Sequence, residues 1–257
     1  MSALRVLLGG AAAMAVGLVL AVPAHAAVMP IDPGPIAAGR PIWGSGQNLM
    51  SVNATEDYWV GPGFAEQITA YYESGRARAD QRDVSEAAYR WIRDWVDEHC
   101  DLDVRACRAT VVFDVDETLL SNIPMYVAMD PQYSDDPAAW NAATKACTQP
   151  ANAPVRRLYN RVKAMGLTII VLTGREVTLK PWTRRCLNER GITGWDRLIL
   201  KPTDDADSAS VFKSKVRGHL RREGLRIVAS VGDQVSDMAL GNLRAGFLLP
   251  NPIYFLP

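Results

Sequence analysis

The sequence predicts an α/β fold, a parallel sheet covered by helices on both faces and preceded by a helical extension. Three observations predict it. From residue 109 onward, short β-rich runs end in polar residues; helical periodicities separate these runs; and the preceding residues lack the alternation. A chain of 257 residues that is 48% hydrophobic has enough material to bury one such core.

The strands read as residues 109–113, 167–172, 197–200, 226–231 and 246–249. Between them, Val155, Leu158, Tyr159 and Val162 mark one helix, Leu179, Trp182, Cys186 and Leu187 a second, and Phe212, Val216 and Leu220 a third. Strands that alternate with helices lie parallel, and ligands bind such sheets at the carboxyl ends of the strands. Ahead of the sheet, Phe64, Ile68, Tyr71 and Tyr72 recur at helical spacing, as do Val84, Ala87, Ala88, Trp91 and Trp95. These predict two amphipathic helices whose aromatic stripes face the core. Residues 27–62, rich in Pro and Gly, read as an irregular arm.

Residues 1–26 hold Arg5, an apolar run over residues 6–22 and the small-x-small triplet Ala24-His25-Ala26. That pattern predicts a signal peptide cleaved after Ala26, hence a secreted or periplasmic protein. The run is shorter than the ~20 apolar residues of a spanning helix, so no stable membrane insertion is expected after cleavage. Export makes Cys100, Cys107, Cys147 and Cys186 an informative even set, and two disulfides are expected. Close spacing makes Cys100 with Cys107 the local choice, leaving Cys147 with Cys186, although the other connectivities stay open. Lys+Arg and Asp+Glu balance at 28 each, which argues against a nucleic-acid polymer as partner.

The strand ends carry the chemistry. The first runs into Asp114-Val115-Asp116-Glu117-Thr118. Carboxylates ~4 Å apart repel by about 4 kcal/mol at an effective dielectric of 20, so a cation or a shared proton must offset them. The same residues also suit the capping of a following helix. The second strand ends in Thr173-Gly174-Arg175-Glu176, a hydroxyl and an unhindered N–H that can hold a phosphoryl oxygen or cap a helix. Lys213 stands near the start of the third helix, where the macrodipole disfavours it unless an anion is near; Lys215 is its solvated control. The fourth strand ends in Gly232-Asp233-Gln234-Val235-Ser236-Asp237. A helix opening at Asp233 would set Asp233 and Asp237 one turn apart, a pair suited to a hard cation such as Mg²⁺.

With these segments in order, the chain resembles the haloacid-dehalogenase superfamily, and within it the class B-type acid phosphatases related to plant vegetative storage proteins. The matching segments are 113–122, 172–176, 212–214, 232–237 and 249–252. The resemblance implies a Rossmann-like sheet with a small cap insertion at about residues 123–153, within a phosphatase domain over residues 63–257. It further implies a Mg²⁺-dependent acid phosphatase acting on small phosphomonoesters. In that scheme Asp114 is the nucleophile and becomes an aspartyl phosphate, and Asp116 is general acid and base. Thr173 and the Gly174 N–H hold phosphoryl oxygens, and Lys213 neutralises charge. Asp114, the Asp116 carbonyl, Asp233 and Asp237 surround the metal, and Asn122 lies near the substrate. Tyr126, Tyr133 and Trp140 of the insertion are candidates for stacking on a nucleobase, with packing of the cap as their alternative use. Two rivals share these residues: a phosphotransferase that uses the same aspartyl phosphate, and a non-catalytic storage or binding protein.

Overall fold

The computed structural model describes residues 28–32, 37–48, 58–59, 62–101, 103–128 and 136–256. Residues 1–26, read above as a signal peptide, and Tyr133 therefore lie outside the described residues. In chain order the elements are β1 (Met29–Ile31), β2 (Ile42–Gly44), β3 (Tyr58–Trp59), α1 (Ala65–Glu73), α2 (Arg76–His99), α3 (Val104–Cys107) and β4 (Ala109–Phe113). There follow α4 (Ile123–Ala128), α5 (Pro137–Ala146), α6 (Ala153–Ala164), β5 (Thr168–Glu176), α7 (Lys180–Glu189), β6 (Arg197–Lys201), α8 (Ala209–Arg222), β7 (Arg226–Gly232), β8 (Ala245–Leu248) and β9 (Tyr254–Phe255).

Seven strands form one sheet in the order β1-β2-β8-β7-β4-β5-β6, parallel except where β1 meets β2. All five strands expected from the sequence are present. The arm is not irregular throughout: Ile42 to Gly44 pair with Gly246 to Leu248 and extend the sheet by two strands. A bare β8 edge would leave a row of unpaired backbone groups, which the arm satisfies. Runs of three residues between prolines and glycines are too short to show a period in the sequence.

Alternation along the strands divides the core in two. Val111, Phe113, Ile169 and Val171 face one cluster, with Val155, Leu158 and Tyr159 of α6 and Val84, Ala88 and Ile92 of α2. Val112, Ile170 and Leu172 face the other, with Phe212 and Leu220 of α8 and the loop residues Val235, Met238 and Leu243. Both faces of a parallel strand are thereby apolar, which is why the runs read as continuous rather than alternating. Ile68 of the first predicted helix is buried as expected, but Phe64 is 61% exposed, because it precedes α1 in a 3₁₀ turn.

Among the described residues, the stretch read above as an insertion carries α4 and α5. Asp136 caps α5 by accepting from the N–H groups of Ala138 and Ala139, and Pro137 follows it. α5 packs on α7, where the Cys147–Cys186 disulfide joins them; Cys100 is bonded to Cys107. The parallel register brings the carboxyl ends of β4, β5 and β7 to one edge of the sheet.

Candidate active site

Asp114 leaves β4 still extended, and its N–H donates to the Val231 carbonyl of β7 at 3.0 Å. No capped helix follows. Residues 115–119 turn irregularly, with Glu117 at φ +48°, a left-handed conformation that costs a non-glycine residue about 1 kcal/mol or more. Its own side chain holds the turn. The Glu117 carboxylate accepts from the Asn122 N–H at 2.6 Å, from the Asn122 amide at 3.2 Å and from the Tyr254 hydroxyl.

β5 runs past its predicted end to Glu176, but its register against β6 shifts between Thr173 and Glu176. Gly174 and Arg175 bulge out of the ladder, which aims them toward the site. A Cβ on Gly174 would meet nothing within 4 Å, so its face is open to the pocket. The Thr173 hydroxyl accepts from the Arg175 N–H at 3.2 Å rather than capping a helix. Arg175 is buried and grips Asp116 with both ends of its fork, Nε to Oδ2 at 2.9 Å and Nη2 to Oδ1 at 2.6 Å.

No α-helix opens at Asp233, contrary to expectation. Residues 235–237 form a 3₁₀ turn in which the Gln234 N–H donates to Asp237 Oδ2 at 3.0 Å. Gly232 is needed for space, not for a positive φ: a Cβ there would lie 2.1 Å from Asp237 Oδ2. Asp233 and Asp237 still converge. With Asp114 they form the one group among the described residues whose carboxylate oxygens, all within 4.8 Å of one another, can hold a metal ion. The Asp116 side chain is not in that group, being engaged by Arg175 and by Asn122 Nδ2 at 2.9 Å.

Lys213 projects from α8 into this cluster and donates to Asp114 Oδ1 at 2.9 Å and to Asp237 Oδ1. Lys215, two residues on, points outward to Asp207 with its side chain 68% exposed. Asp233 is fixed by Asn251 Nδ2 at 2.7 Å, Gln234 Nε2 at 2.8 Å and the Thr118 hydroxyl at 3.2 Å.

Three buried carboxylates against one ammonium leave the cluster short of positive charge. Burial pushes the Asp114 carboxyl well above its usual range despite Lys213. Burial and the neighbouring Asp237 and Glu117 push Asp233 up to about 8. Burial and Asp116 raise Glu117 to about 7. Burial would lower Lys213, but Asp114 and Asp237 outweigh it and hold the ammonium protonated. Such a set fits a divalent hard cation, which prefers carboxylate oxygens and supplies the missing charge.

Asp114, Asp116, Thr173, Gly174, Lys213 and Asp233 all line one cavity of about 580 Å³. A family model, the HAD superfamily, subfamily IIIB (acid phosphatase), matches residues 48–257. The chain belongs to this family. It is accordingly a phosphomonoesterase. Acid phosphatase 1 of Solanum lycopersicum is 32% identical over 207 residues, 78% of this chain and 72% of that protein. Vegetative storage protein 2 of Arabidopsis thaliana is 35% identical over 148 residues, 57% of this chain and 56% of that one. Among solved structures, the class C acid phosphatase from Bacillus anthracis superposes with a TM-score of 0.60 at 17% identity, over 76% of this chain and 87% of that one. That likeness shows a shared fold.

Within this acid phosphatase site, Asn122 departs from expectation. It is 1% exposed and sits behind Asp116, its amide occupied by Asp116, Glu117 and Gln149, so it supports the acidic loop rather than facing the pocket. Arg175, Glu117 and Asn251 are the residues that sequence reasoning left without a role, although all three stand inside the matching segments. A basic residue directly after the Thr173-Gly174 pair was the available signal for Arg175. Nothing local marks Asn251 as a partner of Asp233, which lies 18 residues away in the chain.

Proposed function

We propose that this chain is an exported, Mg²⁺-dependent acid phosphatase that hydrolyses phosphomonoesters through a phosphorylated Asp114. The observation that carries the proposal is the Asp114 carboxylate, ion-paired to Lys213 at 2.9 Å and facing a pocket that Asp116, Thr173 and Gly174 also line. Asp114 Oδ attacks phosphorus, and the bond to the leaving oxygen breaks as Asp116 gives that oxygen a proton. Asp116 then takes a proton from water, whose oxygen displaces the Asp114 carboxylate and releases inorganic phosphate. The Thr173 hydroxyl and the Gly174 N–H hold phosphoryl oxygens. Lys213 and Arg175 set two cations against an anionic ester, which an anionic nucleophile could not otherwise approach. Asp114, Asp233 and the Asp116 carbonyl would hold the metal. Asp237, with one oxygen on Lys213 and the other on the Gln234 N–H, anchors the lysine beside it. When bound, the cation supplies the positive charge that keeps these carboxylates ionised and screens the phosphoryl oxygens.

Trp59, Tyr126 and Tyr254 meet in one corner of the pocket, with ring centroids 4.8 to 6.1 Å apart. They favour esters whose leaving group is flat and aromatic, nucleoside monophosphates among them. Trp140 lies over the Arg175 guanidinium at 5.0 Å instead. Export is supported by the pairing of all four cysteines in disulfides. Among the described residues, no helix is long and apolar enough to cross a membrane. The deciding experiment is Asp114→Asn assayed with p-nitrophenyl phosphate. The variant is expected to fold and bind but not turn over, and wild-type hydrolysis by it would overturn the mechanism.

A further inference from the structure

Two buried polar residues outside the pocket, Gln149 and Thr183, each reach Asp116 through one intermediary. Gln149 Nε2 donates to Asn122 Oδ1 at 3.1 Å, and Asn122 Nδ2 donates to Asp116 Oδ1. On the other side, Arg175 Nη1 donates to the Thr183 hydroxyl at 3.2 Å while the rest of the fork holds Asp116. An amide can turn over and present its oxygen instead of its nitrogen. Asp116 and Glu117 both accept from Asn122 Nδ2, and the Gln149 donor on Asn122 Oδ1 holds the other end of the amide in that same orientation. Thr183 does the same for the tilt of the guanidinium plane.

The roots of these two arms are joined covalently. Cys147 stands two residues before Gln149, and Cys186 stands three residues after Thr183 on α7; the two are disulfide-bonded. Arg190 adds donors from Nε to the Gln149 carbonyl at 2.7 Å and from Nη2 to the Cys147 carbonyl at 2.5 Å. We propose that Gln149 and Thr183 are positioning residues for Asp116, held in mutual register by the Cys147–Cys186 disulfide. The proposal rests on Asp116 being the proton donor to the leaving group. A displacement of about 1 Å at a reacting group can cost on the order of a hundredfold in rate, so the clamp on a short side chain matters for turnover.

Leaving-group dependence separates positioning from general structural damage. p-Nitrophenolate departs without a proton, whereas the alkoxide of glycerol phosphate needs one. Gln149→Met and Thr183→Val are expected to lose about tenfold or more in kcat/KM on glycerol phosphate relative to p-nitrophenyl phosphate. Thr183→Ser, which keeps the hydroxyl, should retain the wild-type ratio, and the Cys147→Ser/Cys186→Ser double variant should shift it as Gln149→Met does. Circular dichroism melts of each variant confirm that the fold is intact. Equal losses on both substrates, or none, would overturn the proposal, and an unchanged ratio in the double variant would remove the disulfide from it. Asp116→Asn is the control. If it too fails to discriminate between the substrates, the role of Asp116 itself is wrong; if it discriminates and the others do not, only the positioning inference fails.

Discussion

Replacing Asp233 by Asn tests the charge deficit of the buried cluster directly. The Asp233 carboxyl is 2% exposed, and its pKa is raised from 3.8 to about 8 by burial, Asp237 and Glu117. A carboxyl whose folded pKa exceeds its unfolded one binds its proton more tightly when folded. Its contribution to stability is therefore complete below the unfolded value and is lost as pH rises through the folded one. Each proton released on unfolding or retained in the fold is worth about 1.4 kcal/mol per pH unit, so between about pH 5 and about pH 8 Asp233 accounts for roughly 4 kcal/mol. Asparagine mimics the protonated acid: its oxygen can accept from Asn251 and Gln234, and its amide can donate to Thr118. In chelator, wild-type stability from urea denaturation should fall with rising pH, and the variant should lose about 1.4 kcal/mol less per unit. Added Mg²⁺ should flatten the wild-type profile and leave the variant's nearly unchanged. Parallel profiles for the two proteins in chelator would mean that Asp233 is already ionised in the fold, and would refute the reasoning.

Further outcomes follow from the same geometry. Gly232→Ala drives a methyl into the Asp237 carboxylate, so Lys213 should lose that partner; we expect a cost of about 1–3 kcal/mol and at least a tenfold loss of phosphatase activity, and wild-type activity would refute the close approach. Arg217 is fully buried and donates to the carbonyls of Asp237, Ala239 and Gly241. Arg217→Met should cost about 3 kcal/mol or more by taking the guanidinium donor from the Ala239 and Gly241 carbonyls, while the Ser230 hydroxyl still donates to Asp237, and a loss below about 1 kcal/mol in chemical denaturation would show that water takes its place.

Much of the scaffold was legible because its signals are local. The five strands beginning at residue 109 were visible as continuous β-rich runs, since both faces of a parallel strand are buried, and the helices between them as periodicity, since side chains facing a core must repeat with the backbone that carries them. The acidic and hydroxyl positions were visible for a related reason: a parallel sheet places polar residues at the strand ends, where Asp114, Thr173 and Asp233 stand, whereas Lys213 stood out as a cation in the first turns of a helix. Phe64 and the arm show the limit of that signal. A single aromatic in a turn, or a three-residue strand, has too few repeats to reveal which side it buries.

The sequence alone determined which residue types end each strand, and in which order. Tertiary structure decided what those residues do to one another. Asp237 meets Lys213 because Gly232 leaves room for it, Asn251 reaches Asp233 only when the chain end folds back, and Arg175 turns toward Asp116 at a bulge in β5. Hydrogen bonds and ion pairs act over about 3 Å whatever the separation along the chain, so a pattern within a segment cannot encode its partner in another.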